Sequence, residues 1–300
     1  MNKLYIIIFF RAGIIILFFL LGKSYAAAQN EKDLLSQAFD YIEQNRLDSA
    51  EIVLKTVLKE NPDNPVNPFL LNNLGTIQRR MGKREEALTS YTAALGTYPA
   101  QPVFLESRAS LFAEMGQARN AIIDYSALLS NNPNNEEALY QRGLLYLQIK
   151  NTDLAEADFR RMLELNPNSL YARRGFASLA KFRRDYEEAE KIYNYLIDKE
   201  PGDFNLYAGR AELYLLMEKP GRAYADINQA IRLAGDNSQN PYLYIIRYRT
   251  KLLLHEKKDA LNDLKKAVAL GYKENEDKDA DEKNEFINET MDDHSDRNDK

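Results

Sequence analysis

The sequence predicts an all-α fold of stacked helical hairpins, and three observations predict it. Seven alanines (Ala50, Ala87, Ala121, Ala155, Ala189, Ala223 and Ala260) recur with four inner steps of 34 residues and two outer steps of 37. Twelve residues before them stands a second small residue: Ala38, Gly75, Ala109, Gly143, Ala177 and Ala211. Four residues after them stands a bulky one: Leu54, Tyr91, Tyr125, Phe159, Tyr193, Ile227 and Leu264. Two small residues let paired helices approach, and the large one fills the gap between units. A helical unit of this period cannot bury its apolar face alone, so it stacks on its neighbours.

Each hairpin has its own punctuation. Pro62, Pro99, Pro133, Pro167 and Pro201 fall twelve residues after the alanines. Proline cannot continue a helix and biases the preceding residue away from helical dihedrals, so it closes the second helix. Gly82 and Gly116 fall in the turn between helices, where a permissive backbone is needed. On these residues the chain resembles the tetratricopeptide repeat family from residue 31 to about 272. The resemblance implies a right-handed superhelical solenoid of about seven helical hairpins, with units near 31–64, 68–101, 102–135, 136–169, 170–203, 204–237 and 241–272. The pattern weakens at both ends. Gln37 replaces the leucine of unit 1, while Tyr248 and Tyr272 replace the small residue and the closing proline of unit 7. Gly235 stands for the proline of unit 6, three further residues follow it, and Pro65, Val66 and Asn67 separate units 1 and 2.

The two ends of the 300-residue chain read differently from its middle. Lys3 and Arg11 precede an uncharged apolar run from Ala12 to Gly22, and Ala26-Ala27-Ala28 meets the small-x-small rule of a signal peptidase. Residues 1–28 are therefore expected to be a secretory signal cut before Gln29. The alternative is an uncleaved inner-membrane anchor from Leu4 to Gly22, for which Arg11 would cost about 2.5–3.5 kcal/mol. Either reading places the repeats of 29–272 outside the cytoplasm, in the periplasm or cell envelope. Residues 273–300 hold twelve acidic and five basic residues and few large apolar ones, which predicts a disordered acidic tail. The total charge of −5 then leaves the repeats near neutral, which argues against a nucleic-acid partner.

Catalytic and metal chemistry find little support. No cysteine is present, and His255 and His294 are the only imidazoles. Phosphate loops, HExxH and GxSxG are missing. Asp277, Asp279 and Asp281 imitate the start of a calcium loop, but Glu282 and Asn288 occupy its glycine and bidentate-glutamate positions. Glu85-Glu86, Glu136-Glu137 and Glu187-Glu188 read as caps at helix N-termini. Asp48-Ser49-Ala50 resembles an O-glycosylation acceptor of the Bacteroidetes envelope, yet Asp48 and Ser49 are ordinary helix-opening residues. The chain is expected to be no enzyme and to use no cofactor and no metal.

A recurring charge pair carries more. Arg108 and Asp124, Arg142 and Asp158, Arg210 and Asp226, and Arg247 and Asp263 are each sixteen residues apart, arginine on the first helix and aspartate on the second. Units 1, 2 and 5 lack both members together, with Gln37/Val53, Leu74/Ser90 and Phe176/Ile192. Pairing within a unit leaves no orphan, so four bridges are expected, each bracing one hairpin.

Function is expected on the first helices, which by the family pattern line the inner groove. The resemblance places Phe69, Asn72, Thr76 and Arg79 there from unit 2, Tyr140, Leu144 and Leu147 from unit 4, and Tyr171, Arg174, Ser178 and Lys181 from unit 5. Five cations crowd residues 173–184 of unit 5. Tyr171, Arg174 and Lys181 share a helical face there, suited to a carboxylate or an acidic segment of a partner. The expected function is an exported, non-catalytic scaffold for protein–protein interaction, probing a protein or peptide segment through that groove. The alternative is an inner-membrane-anchored assembly or secretion factor.

Overall fold

The computed structural model describes residues 25–235 and 238–272. Residues 1–24 of the expected signal, the acidic tail with its calcium-like aspartates, and His294 lie outside the described residues. The described chain is all-α, with fourteen helices. It divides into two compact units, Met1–Gly175 and Phe176–Lys300.

In the first unit the helices come in antiparallel pairs: α1 (Tyr25–Glu43) with α2 (Leu47–Glu60), α3 (Asn67–Arg80) with α4 (Arg84–Thr97), α5 (Pro102–Glu114) with α6 (Ala118–Asn131), and α7 (Glu136–Gln148) with α8 (Thr152–Leu165). The second helices α2, α4 and α6 also pack on the first helix of the next pair, and α3 meets α5 directly. The boundary between the units falls inside α9 (Leu170–Phe182). The second unit continues with α10 (Tyr186–Lys199), α11 (Phe204–Leu216), α12 (Pro220–Ala234), α13 (Pro241–Leu253) and α14 (Lys257–Ala269).

The repeating alanines are fully buried, from Ala50 to Ala260, because the two helices of a pair cross at them. The bulky residue four positions on reaches into the cleft so formed. Phe159 on α8 packs against Gly143 of its own hairpin and Gly175 of the next, and Tyr91 fills the space beside Gly75. In the second unit Tyr193 does the same against Gly209, where an added Cβ would lie 2.7 Å from its hydroxyl. These glycines are packing residues: they make room for a ring.

The turn between paired helices puts one residue in the left-handed region in every hairpin. Gly82 and Gly116 do so at φ +77° and +72°. In the other hairpins Asn45, Lys150, Arg184, Glu218 and His255 hold the same place, at φ between +54° and +63°. The backbone geometry is therefore common to all units, although only two of them use the residue best suited to it.

The residues between units 1 and 2 do more than lengthen a loop. Asn67 opens α3, is buried, and donates its amide to the carbonyls of Asn61 and Pro62 at 2.7 and 2.9 Å. Glu31 accepts from Asn61 at 2.9 Å and from Asn64 at 2.5 Å, tying the start of the hairpin to its end. Glu136 accepts from Ser169 in the corresponding place of unit 4. The three acidic pairs expected as caps lie within the first helical turns, where they meet the helix dipole. For two of these helices the cap proper is the residue before. Asn135 accepts from the Ala138 amide at 2.9 Å and Asp185 from the Glu188 amide at 3.2 Å.

Candidate functional site

The four arginine–aspartate pairs form the internal frame on which any binding face rests. Arg108 donates Nε and Nη2 to the two oxygens of Asp124, both at 2.8 Å. Arg142 reaches Asp158 at 2.9 and 2.6 Å, Arg210 reaches Asp226 at 2.6 and 2.8 Å, and Arg247 reaches Asp263 at 2.9 and 2.5 Å. Sixteen residues bring the pair face to face because the second half of one helix, a tight turn and the first half of the next return the chain to the same level. All four aspartates are buried, so the forked, charge-assisted bonds compensate their desolvation.

Each arginine also holds the preceding hairpin. Its Nη1 donates to Thr92 from Arg108, to Ser126 from Arg142 and to Asn194 from Arg210, again sixteen residues away but on the N-terminal side. For Arg247 the acceptor is Asn228, nineteen residues back, because the three extra residues before unit 7 shift the register. The first and second hairpins, which lack the arginine, are joined by other polar groups. Glu51 of α2 accepts from Gln78 at 3.0 Å and binds Lys55 and Lys83 at 2.7 Å each. Gln78 in turn accepts from Ser90 at 2.7 Å. Burial would raise the Glu51 carboxyl, but these bonds outweigh it and lower its pKa from 4.5 to about 2.

The residues expected in the groove fall into three groups. Phe69 is 42% exposed and stacks edge-on to Phe104 at 5.1 Å, and Tyr171 is 50% exposed with Tyr140 edge-on to it at 5.6 Å. Arg174 lies over the Tyr171 ring at 5.8 Å. Tyr140, Leu144 and Ser178 are half-buried. A second group is committed within the protein. Thr76 donates to the Asn72 carbonyl and shares a hydrogen bond with the Tyr91 hydroxyl at 3.1 Å. Arg79 forks onto Glu114, and Lys181 binds Glu212 at 2.9 Å.

The third group is covered. Asn72 and Leu147 are each only 7% exposed and do not line an open surface. Leu147 is an apolar side chain that gains by being covered. The repeat register also assigns Val103, Glu106 and Ser110 of α5, the equivalents of Phe69, Asn72 and Thr76, to this face. They were legible in the sequence as the same positions 34 residues on. Among the described residues no group of three or more histidine or acidic side chains is placed to hold a metal, and no helix is long and apolar enough to cross a membrane.

Comparison with known proteins follows this geometry. Sequence models of the tetratricopeptide repeat match residues 70–102 and 136–169, and a model described as anaphase-promoting complex subunit 5 matches residues 206–257. No curated protein sequence matches the chain. Among solved structures, pilF of Pseudomonas aeruginosa has a TM-score of 0.53 at 18% identity, covering 76% of this chain and 98% of its own. PilW, described as a widely conserved type IV pilus biogenesis factor, has a TM-score of 0.53 at 16% identity, covering 67% and 91%. At these identities the likeness is one of fold. A tetratricopeptide repeat protein from Parabacteroides merdae ATCC 43184 is 46% identical, with a TM-score of 0.73, over 81% of this chain and 94% of that one. With its hairpin register, its buried alanines and this relative, the chain belongs to the tetratricopeptide repeat family.

Proposed function

We propose that the protein is an exported, non-catalytic scaffold of a bacterial envelope that holds a protein or peptide segment on the first-helix faces of its repeats. The observation that carries this reading is a set of large apolar side chains left uncovered at equivalent positions of the second, third and fifth hairpins: Phe69, Val103 and Tyr171 at 42, 43 and 50% exposure, with Glu137 at that position in the fourth. Apolar groups aligned on one face gain about 25 cal/mol for each Å² that a partner covers. Export rests on the n-region, apolar run and small-residue site of residues 1–28. Because α1 begins at Tyr25, a cut before Gln29 removes its first turn. A bacterial source is supported by the 46% identical relative. The lack of any nucleophile, base and orienter assembly in the sequence supports the non-catalytic role.

The charge of the partner is not set by α9 alone. Lys181, one of the two cations that suit an acidic segment, is already bonded to Glu212. Residues 29–300, tagged and returned to the envelope fraction of the source cell, should capture a defined set of proteins. The set should shrink with Phe69→Ala and Tyr171→Ala; an unchanged set would reject this face. Mass analysis of the N-terminus decides the address. A chain starting at Gln29 in the soluble envelope fraction supports export, whereas intact residues 1–28 in the membrane pellet support the anchored alternative.

A further inference from the structure

The second helices α4, α6 and α12 each offer one face to the hairpin that follows, and no described hairpin follows α14. One residue after the repeating alanine, Leu88, Ile122 and Tyr224 are half-buried, whereas Leu261 of α14 is 47% exposed. Eight residues after it, Leu95, Leu129 and Ile231 are buried, whereas Val268 is 55% exposed. Lys258 and Lys265, both exposed, fall on the same stripe. Cation and apolar side chain therefore alternate along one face of α14, as Lys258, Leu261, Lys265 and Val268.

Lys265 changes what this face can receive. Five residues after the alanine, Thr92, Ser126, Asn194 and Asn228 are the side chains that accept from the arginine of the following hairpin. An ammonium in that place repels an arginine and favours a carboxylate. The charge of the chain changes sign just beyond it. Residues 241–272 hold seven basic and three acidic residues, and residues 273–300 hold five basic and twelve acidic ones. Within the acidic part the adjacent Phe286 and Ile287 are flanked by Glu282, Glu285 and Glu289. That order of acid, apolar pair and acid complements the stripe on α14.

We propose that residues 282–289 of the acidic tail dock along this face of α14, with Phe286 and Ile287 on Leu261 and Val268 and the flanking glutamates on Lys258 and Lys265. The reach is sufficient. The intervening residues 273–281 extend up to about 30 Å, and the thirteen-residue α14 is about 20 Å long. Two large apolar residues are too few to build a core for the tail, yet they cover two others on a helix already formed. Attachment to the same chain supplies a high effective concentration, so a contact too small to hold a separate peptide is populated. The docked segment closes the apolar end of the last hairpin, on which a second copy could otherwise stack.

Millisecond hydrogen exchange on the protein with its tail intact tests this. The amides of 282–289 should exchange about tenfold more slowly than in a free peptide of residues 273–300, and raised salt should reduce the difference. Lys258→Glu with Lys265→Glu should remove the protection. Adding Glu282→Lys, Glu285→Lys and Glu289→Lys to that variant should restore it, which distinguishes a lost contact from a damaged helix. Protection should not depend on protein concentration. Exchange of the wild-type segment at the free-peptide rate would overturn the proposal. So would protection that survives the double charge reversal, or a reversed tail that fails to restore it. Protection that grows with concentration would overturn it in favour of a contact between two copies.

Discussion

Gly143 on α7 lies against the ring of Phe159 on α8 so closely that a single added carbon would enter the ring's van der Waals surface. Gly175 of the next hairpin covers the ring's surroundings in the same way, so the fully buried phenylalanine locks two hairpins together. Gly143→Ala is expected to destabilise the fold by about 1–3 kcal/mol, the usual cost of overpacking. Phe159→Leu in the same chain should recover part of that loss, because a smaller side chain opens the space. Chemical denaturation of the two variants measures both, and a Gly143→Ala midpoint equal to wild type would contradict the packing described.

The left-handed turn residue gives a prediction of the opposite sign. Lys150 adopts φ +63°, whereas Gly116 holds the equivalent place at +72°. Lys150→Gly should stabilise the protein by about 0.5–1 kcal/mol, strain relief exceeding the added entropy of the unfolded chain. Gly116→Ala should lose a similar amount, for its Cβ would meet no neighbour and only the backbone strain remains. Paired melting curves check the two signs together.

Arg142→Ala should cost about 2 kcal/mol, between the values for exposed and fully buried pairs, because it leaves the buried Asp158 without its fork. Replacing both residues by leucine keeps the net charge and should restore part of the stability. The loss should also loosen the contact to Ser126 of the preceding hairpin, visible as faster amide exchange in α6.

Acid should weaken the joint between the first two hairpins. The folded Glu51 carboxyl titrates near 2 and the unfolded one near 4.5, so its stabilisation is complete above about pH 4.5 and is lost as pH falls towards 2. A shift of this size corresponds to about 3 kcal/mol in full, and the partly exposed lysines reduce it to about 1–2 kcal/mol. The stability gap between wild type and Glu51→Gln should therefore close between pH 5 and pH 2. A gap that stays constant across that range would show that the carboxylate charge is not what holds the joint.

The sequence by itself determined the helical class and the hairpin register, because both depend on local spacing. Alanines 34 residues apart mark where helices cross, and a sixteen-residue step between arginine and aspartate spans one hairpin whatever surrounds it. Tertiary structure decided what each position does once neighbours are present. It set five non-glycine residues in the left-handed turn, since the geometry of the pair, not the residue, imposes that dihedral. It gave each arginine a second partner in the preceding hairpin, and it gave Glu51, Gln78 and Ser90 the joining role where arginine is lacking. On the first-helix faces it covered Asn72 and Leu147 and bonded Lys181 to Glu212. Spacing along one helix says which side chains share a face. Whether that face is open, and which of its charges is already matched, depends on the hairpin packed beside it.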